Sequence, residues 1–450
     1  LVTAKRESTL KKPKGHPTVG WRNCLNICLI NHLVNRLVNR RINCLIHGLE
    51  NGLVAGGALG WILCCAAPVL AQALPNDNAA RPSSDHATLH SAPSKSASAS
   101  VKTAHRAQHG ANQRPPKHAP RLNITGPQFQ KNAAFWGLVD RMTEQSGLPR
   151  SWVERQLSKA HHLAQVKQLI LPAAIGTRKN WKAYRERFLN VQRIEWGQAF
   201  AAKHAVELQR AEEIYGVPGS IVTAILGVET LYGRHMGQYP ALDALTTLAL
   251  DFPLSHPRRE ERVKFFEGEL AALLRLMNDP VLGQAPLLSS YAGAMGMAQF
   301  MPSNWQRFGV DFDGDGRVDL MHSPSDAIGS VAHYLQAYGW TKGLPTHYEL
   351  SASDPTLQAL PAGHLETLLA PDILPSFSAE RLAQLGLDLS PAVRAHSGPL
   401  ALVALENGDA ANSYVLGSEN FYVITRYNWS SYYAMAVIEL SQEIKAAPLR

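Results

Sequence analysis

Along residues 129–208 apolar side chains recur at the spacing of a single helix face: Phe135, Leu138, Val139 and Met142, then Trp152, Val153 and Leu157. That pattern predicts a helical subdomain over 126–215. Gly216-Val-Pro218 interrupts it as a turn, with a proline suited to the first turn of the next helix. From Ile221 to Thr230 the chain is apolar almost all round, the mark of a buried helix, which should end near Gly233 and open a core spanning 216–344. Residues 345–425 break into short apolar runs between Pro, Gly and Ser, and Leu400–Leu405 and Phe421–Thr425 read as strands. A last helical pattern, about Ser431 to Ile444, lies in a segment 426–450 that returns to the core. The fold class that follows is α+β, predominantly α-helical, with a small β-containing insertion.

Two stretches before residue 126 depart from this periodicity. Residues 52–73 form an uncharged apolar run behind a basic stretch and end in Ala71-Gln72-Ala73. This is the form of a secretory signal with a small-residue cleavage site, and its length also suits an uncleaved anchor of about 20 residues. Residues 1–73 are therefore read as a leader. The chain begins with Leu1 and its first methionine is Met142, so the expected translation start is a non-AUG codon within 30–55. Residues 74–125 are rich in Ala, Ser, Pro, His, Asn and Lys and poor in large apolar groups, so they cannot bury enough surface to offset their ordering entropy and should be a disordered linker.

Charge sharpens this division. The chain of 450 residues carries a formal +8, but residues 1–73 hold nine Lys/Arg against two Asp/Glu and residues 74–122 hold seven against two. The remainder is net −4, which removes the main support for nucleic-acid binding. All five cysteines (Cys24, Cys28, Cys44, Cys64 and Cys65) precede residue 74, so the folded part needs no disulfide and tolerates an oxidising compartment.

Candidate chemistry concentrates in three places. Glu229 is the one acid of the buried helix, with Ile225 a turn before it and Tyr232 close to a turn after. Desolvation would raise its pKa into the range of a general acid; a carboxylate at a helix end paired with Arg234 fits the same residues. Residues 289–303 combine small residues at Ala292, Gly293, Ala294 and Gly296 with a polar Gln299 in an apolar run. They suit either a groove floor that hydrogen-bonds a polar substrate or tight packing. Asp311-Phe-Asp313-Gly-Asp315-Gly316-Arg317 reproduces the first half of an EF-hand loop, with carboxylates at positions 1, 3 and 5, Gly at 6 and the Arg317 carbonyl at 7. Position 12, where a bidentate Glu belongs, is His322, and Asp319 is a weaker ligand candidate.

Ile225-Leu-Gly-Val-Glu229-Thr, the run Ala-Gly-Ala-Met-Gly-Met-Ala-Gln-Phe-Met-Pro-Ser and Arg426-Tyr-Asn-Trp-Ser-Ser-Tyr-Tyr-Ala-Met resemble, in this order, the lytic murein transglycosylase B family, over about residues 128–445. The resemblance implies a goose-type lysozyme-like core and non-hydrolytic cleavage of the β-1,4 bond between N-acetylmuramic acid and N-acetylglucosamine. Glu229 would protonate the leaving oxygen and then act as base on the muramyl 6-hydroxyl, giving a 1,6-anhydro end with help from the substrate N-acetyl group. It also implies that Tyr184, Ser290, Gln299, Tyr334, Tyr427, Asn428 and Tyr433 hold the substrate and that Arg258 and Arg259 face the glycan or its peptide stem. For each tyrosine, core packing competes with that role. Asp-Phe-Pro-Leu-Ser-His-Pro before the arginines is a few residues longer than the family pattern.

The family's longer loop implies that Asp326 supplies the last carboxylate of a structural Ca²⁺ (or Na⁺) site, with no cofactor needed for catalysis. Ser323-Pro324-Ser325-Asp326 also reads as a helix start with Asp in the first turn. The expected setting is the periplasm, with peptidoglycan glycan strands and cell-wall synthesis proteins as partners, no nucleic acid, and a monomer. A lysozyme-like hydrolase and a non-catalytic, calcium-dependent wall-binding protein are the competing functions.

Overall fold

Helix formation begins where the apolar spacing does. The structure, a computed structural model, describes residues 129–172, 179–284, 286–350, 357 and 360–446; the leader and the linker lie outside the described residues. Helix α1 (Ala134–Ser146) buries Phe135, Leu138, Val139 and Met142 on one face. It is followed by α2 (Arg150–Leu157) and α3 (Ala164–Leu169). Helices α4 (Trp181–Phe188) and α5 (Val191–Lys203) start at Asn180 and Asn190, whose side chains accept from the backbone N–H of Ala183 and Arg193. Each such cap contributes about 1 kcal/mol. Helix α6 (Ala205–Tyr215) leads into α7 (Gly219–Thr230).

Helix α7 packs against α5, α6, α11 (Pro324–Ala337) and the last helix α16 (Ser431–Ala446). This is why its sequence is apolar on every side: Ile221, Val222, Ala224, Ile225 and Leu226 are all buried. Beside these, the long α9 (Arg259–Met277) packs against both α8 (Ala241–Leu250) and α10 (Pro302–Phe308). Two short strands, β1 (Tyr239–Pro240) and β2 (Leu288–Ser289), pair antiparallel with Tyr239 opposite Ser289, and bring residue 290 onward under the end of α7.

A second sheet, ordered β3-β5-β4, joins β3 (His347–Leu350), β4 (Ala401–Asn407) and β5 (Ala410–Gly417) in antiparallel register, with Val403 opposite Val415 and a bulge between Leu405 and Asn407. Its two faces enter different cores. Ala401, Val403, Leu405 and Val415 belong to the main core, which runs from Phe129 to Ile444. Leu402 and Leu416 face a smaller core with Leu368 of α12 (His364–Leu369), Leu382 of α13 (Ala379–Gln384) and Val393 of α14 (Pro391–Arg394). Period-two side-chain direction thus explains an unbroken apolar run: both faces are covered.

The fold is α+β and predominantly helical. One element differs from expectation: Phe421–Thr425 is part of helix α15 (Glu419–Thr425), not a strand. Ser418 caps it by accepting from the Asn420 N–H, and Asn420, buried, accepts from Thr341 N–H and donates to the carbonyls of Thr341 and Leu344. A short apolar run carries no period of its own, so the cap and these tertiary bonds decide its conformation.

Candidate active site

Glu229 lies in the last turn of α7. By exposed area it is half-buried, yet the protein around it is dense enough that desolvation dominates and raises its pKa to about 7. Its helix-end position acts in the same direction, since the negative end of the dipole disfavours a carboxylate. The opposing influence is one hydrogen bond: the Tyr433 hydroxyl donates to Glu229 Oε1 at 2.6 Å. Among the described residues no second carboxylate contributes to the shift.

The alternative pairing with Arg234 does not form. The Arg234 guanidinium lies over Trp196, 4.1 Å from the ring centroid, and donates to the Leu231 carbonyl. The other nearby acids are engaged elsewhere: Asp243 accepts from the His161 N–H, and Asp251 from Lys167 Nζ at 2.7 Å.

The aromatic residues divide into two groups. Tyr433, on α16, is buried with its ring stacked on Tyr427 at 6.2 Å and 12°. The Tyr427 hydroxyl donates to the Ala298 carbonyl, fastening the C-terminal segment to the 289–303 run. Tyr184, on α4, is half-buried among Trp181, Phe188 and Tyr432; burial first and the charge of Glu229 second raise its pKa, so it shares the electrostatic surroundings of the acid. Helix α4 is itself pinned to α16 by an Arg185–Glu439 ion pair. Tyr334 stands behind these groups. It is 4% exposed, and its hydroxyl donates to the Arg426 carbonyl at 2.6 Å, so it supports the turn that carries Tyr427 instead of presenting itself to a groove. Asn428 is half-buried beside Tyr427.

The 289–303 run is a series of turns with isolated bridges at Ser289–Met295 and Met295–Phe300. Ser290 Oγ accepts from the N–H groups of Ala292 and Ala294, leaving its own proton available to donate. Gln299 holds φ at 48°, with Nε2 donating to the carbonyls of Gly296 and Met236 and Oε1 not needed for these bonds. The small residues serve packing: a Cβ on Gly293 would lie 2.4 Å from Leu245 Cδ2, and one on Gly296 would lie 2.5 Å from the Leu320 carbonyl oxygen. Both also have positive φ, so glycine is required twice over at each.

Arg258 and Arg259 stand at the start of α9, where Arg258 lies 3.6 Å from Glu261. They are joined by Arg262, which packs over Phe265 and Phe266 and is near enough to Tyr291 to feel its hydroxyl. Arg262 was not singled out from sequence; its signal is a third cation one helical turn from Arg258 and Arg259. Thr230 was missed as well. It is buried, and its hydroxyl donates to the Met297 carbonyl at 2.9 Å, tying the end of α7 to the run. A hydroxyl in an apolar helix, which must find a partner, was the available clue.

In the acidic loop, oxygens of Asp311, Asp313 and Asp326 all lie within 4.8 Å of one another, a donor set that fits a hard cation. Asp326 is buried and accepts from the N–H groups of Phe312 (2.8 Å) and Asp319 (2.7 Å), while Ser323 also caps α11 by accepting from the Asp326 N–H. Asp326 thus sits in the first turn of α11, as the helix-start reading expects, and also accepts from the loop backbone. Asp315 turns instead to Arg317 at 2.8 Å, and Asp319 to His322 at 3.1 Å. Leu320, next in the loop, accepts from the Met297 N–H at 2.8 Å, so this loop backs directly onto the 289–303 run.

Comparison with known proteins places these features in context. The transglycosylase SLT domain matches residues 130–442. The chain belongs to that family. It is 35% identical over 338 residues to membrane-bound lytic murein transglycosylase B of Escherichia coli, covering 73% of this chain and 88% of the relative. The Escherichia coli lytic transglycosylase SLT35, solved in complex with bulgecin A and with calcium, aligns with a TM-score of 0.60 over 73% of this chain and 98% of that one, at 36% and 35% identity. Pseudomonas aeruginosa SltB3, solved in complex with NAG-anhNAM-pentapeptide, aligns at 28% identity and a TM-score of 0.54 over 70% of this chain and 80% of that one. The chain is accordingly a lytic murein transglycosylase, an enzyme that cleaves peptidoglycan. The family needs no catalytic cofactor. No helix among the described residues is long and apolar enough to cross a membrane.

Proposed function

We propose that this transglycosylase cleaves the β-1,4 bond between N-acetylmuramic acid and N-acetylglucosamine, with Glu229 as its single acid and base, leaving 1,6-anhydromuramyl ends. The observation that carries the reading is a lone, desolvated glutamate whose pKa sits at about 7 and which is held by one tyrosine hydroxyl. Burial keeps the Tyr433 pKa well above its ordinary value, so this hydroxyl stays protonated and always donates. It occupies Oε1, and the acid proton is left on Oε2. Donation from Oε2 to the glycosidic oxygen frees the leaving sugar, and the carboxylate then takes the proton of the muramyl 6-hydroxyl as that oxygen closes on the anomeric carbon. With no second carboxylate at Glu229 among the described residues, the substrate's own N-acetyl oxygen supplies the stabilisation that a carboxylate provides in ordinary glycosidases. The complex of SltB3 with NAG-anhNAM-pentapeptide, a product-type ligand of a relative, is consistent with this course.

Tyr184 and Tyr427 supply the aromatic wall, with Ser290, Gln299 and Asn428 as polar contacts and Arg258 and Arg259 toward the stem; Tyr433, fully buried, acts through its bond to Glu229, and Tyr334 through the turn it supports. Asp311, Asp313 and Asp326, with the Arg317 carbonyl, would hold Ca²⁺ or Na⁺, a structural cation that neutralises the loop; Asp315 would have to release Arg317 to join them. Residues 216–344 form the catalytic core, 126–215 the helical subdomain and 345–425 the β-containing subdomain. The enzyme is exported to the periplasm, as a soluble or membrane-tethered form.

Mass spectrometry of digested sacculi tests the chemistry. Anhydromuramyl ends are expected; reducing ends would make the enzyme a hydrolase, and absence of release would leave only wall binding. Glu229→Gln should abolish release while glycan binding persists.

A further inference from the structure

Among the described residues four that are not glycine have positive φ, and three lie just after Glu229 or in the 289–303 run: Leu231 at 52°, Tyr232 at 60° and Gln299 at 48°. Left-handed backbone is disfavoured for residues with a Cβ and persists only where the surroundings hold it. Leu231 and Tyr232 directly follow α7, so the chain bends sharply just after Glu229. Tyr232 holds the outer side of the bend. Its hydroxyl donates to the Arg193 carbonyl at 2.8 Å, and its ring fills a slot in which a Cβ on Gly197 or Gly227 would come within 2.4 or 2.6 Å of the hydroxyl oxygen.

Thr230 holds the inner side. A threonine in a helix is normally satisfied by bonding the carbonyl four residues back. Here that bond, to Leu226, is the longer one at 3.2 Å, and the shorter at 2.9 Å crosses to Met297, 67 residues away. The same oxygen accepts from the Gly233 N–H at 3.0 Å, and the Thr230 carbonyl accepts from the His235 N–H at 2.9 Å. One side chain, 1% exposed, therefore joins the end of α7, the strained bend and the 289–303 run.

We propose that Thr230 is a positioning residue of the reaction: its hydroxyl locks the end of α7 to Met297 and so sets where the Glu229 carboxyl stands relative to the groove run. This rests on the reading of Glu229 as the proton donor. Positioning errors of about 1 Å cost on the order of 100-fold in rate, which is the scale on which such a lock acts. A valine at 230 would fill the same volume without the hydroxyl, freeing α7 from the run, whereas a serine would keep the bond and lose only a methyl group.

The experiment measures glycan release from soluble strands as a function of substrate concentration and pH for Thr230→Val, Thr230→Ser and Thr246→Val. Thr246 is a matched control: it is fully buried, and its hydroxyl has no hydrogen-bond partner. The expected result for Thr230→Val is a fall of at least about tenfold in kcat, KM within about twofold, and a displaced alkaline limb, with Thr230→Ser and Thr246→Val close to the parent. The proposal is overturned if Thr230→Val keeps the parental kcat and pH profile. It is equally overturned if Thr230→Val falls together with Thr230→Ser or with Thr246→Val. Should Thr230→Val fail to fold, amide hydrogen exchange on the parent protein decides: strong protection at Gly233 and His235 supports the lock, and exchange at loop rates at both removes it. Glu229→Gln is assayed in parallel. If it stays active, the acid reading fails; if it is inactive while Thr230→Val is unaffected, only the role of Thr230 fails.

Discussion

Glu229 and Asp326 are both enclosed carboxylates, linked through the backbone of Leu320 and Met297, yet their surroundings prepare them for opposite tasks. Burial lifts both pKa values. Glu229 meets a single hydroxyl and, among the described residues, no carboxylate that shifts it, so with a pKa of about 7 it can both hold and give up a proton near neutrality. Asp326 receives backbone N–H groups from Phe312 and Asp319 and faces Asp313, whose negative charge pushes its proton affinity up further. A cation there would relieve the repulsion. The difference teaches that burial alone does not make a catalytic acid. What matters is how far neighbouring groups satisfy the anion: one hydroxyl at Glu229, several backbone N–H groups at Asp326.

The largest effect expected is at the lone acid: Glu229→Gln should lower turnover by about 10³-fold or more, measured as anhydromuropeptide release, and a variant that retains a tenth of the activity would erase the contrast. Next is Asp326→Ala, which leaves the N–H groups of Phe312 and Asp319 without their acceptor. A loss of about 2–4 kcal/mol is expected in urea unfolding, together with loss of any calcium-dependent rise in Tm. An unchanged midpoint would mean that Asp326 does not organise the loop.

The proton on Glu229 gives a third test. The folded state holds it to about pH 7, while an ordinary glutamate releases it near 4.5, so this contribution to stability is complete below about 4.5 and is lost as pH rises through 7. Its size is up to about 3 kcal/mol, and Glu229→Gln should flatten the pH dependence of unfolding over that window. Tyr433→Phe removes the one bond that favours the charged form, so the alkaline limb of the pH–rate profile should move upward and turnover should fall by about tenfold. The smallest effect is at Asp315, exposed and paired with Arg317: Asp315→Asn should leave the urea unfolding midpoint unchanged without added cation. A marked loss of calcium response in that variant would show that Asp315 turns from Arg317 to the ion.

Much of this comparison was legible in the sequence. Glu229 stood out because an acid in an apolar helix is anomalous, and Asp311 and Asp313 because their spacing matches a known loop. Tyr433, which completes the acid, lies 204 residues from Glu229, and nothing in its local pattern distinguished it from a core tyrosine. Tyr334 and Tyr427 show the same ambiguity resolved in two ways. Both hydroxyls bond a carbonyl, but one ring supports a turn from behind while the other stacks on the residue that touches the acid.

The sequence by itself determined the helical pattern of residues 129–208, the buried character of α7, the last helix and the acidic loop, because side-chain periodicity and turn chemistry are written in neighbouring residues. The tertiary structure alone decided that Phe421–Thr425 is helical, that Gly293 and Gly296 make room for Leu245 and Leu320, and that Thr230 bonds Met297. Those outcomes depend on which distant groups the packing brings within hydrogen-bond or van der Waals range, and that information resides in no single stretch of chain.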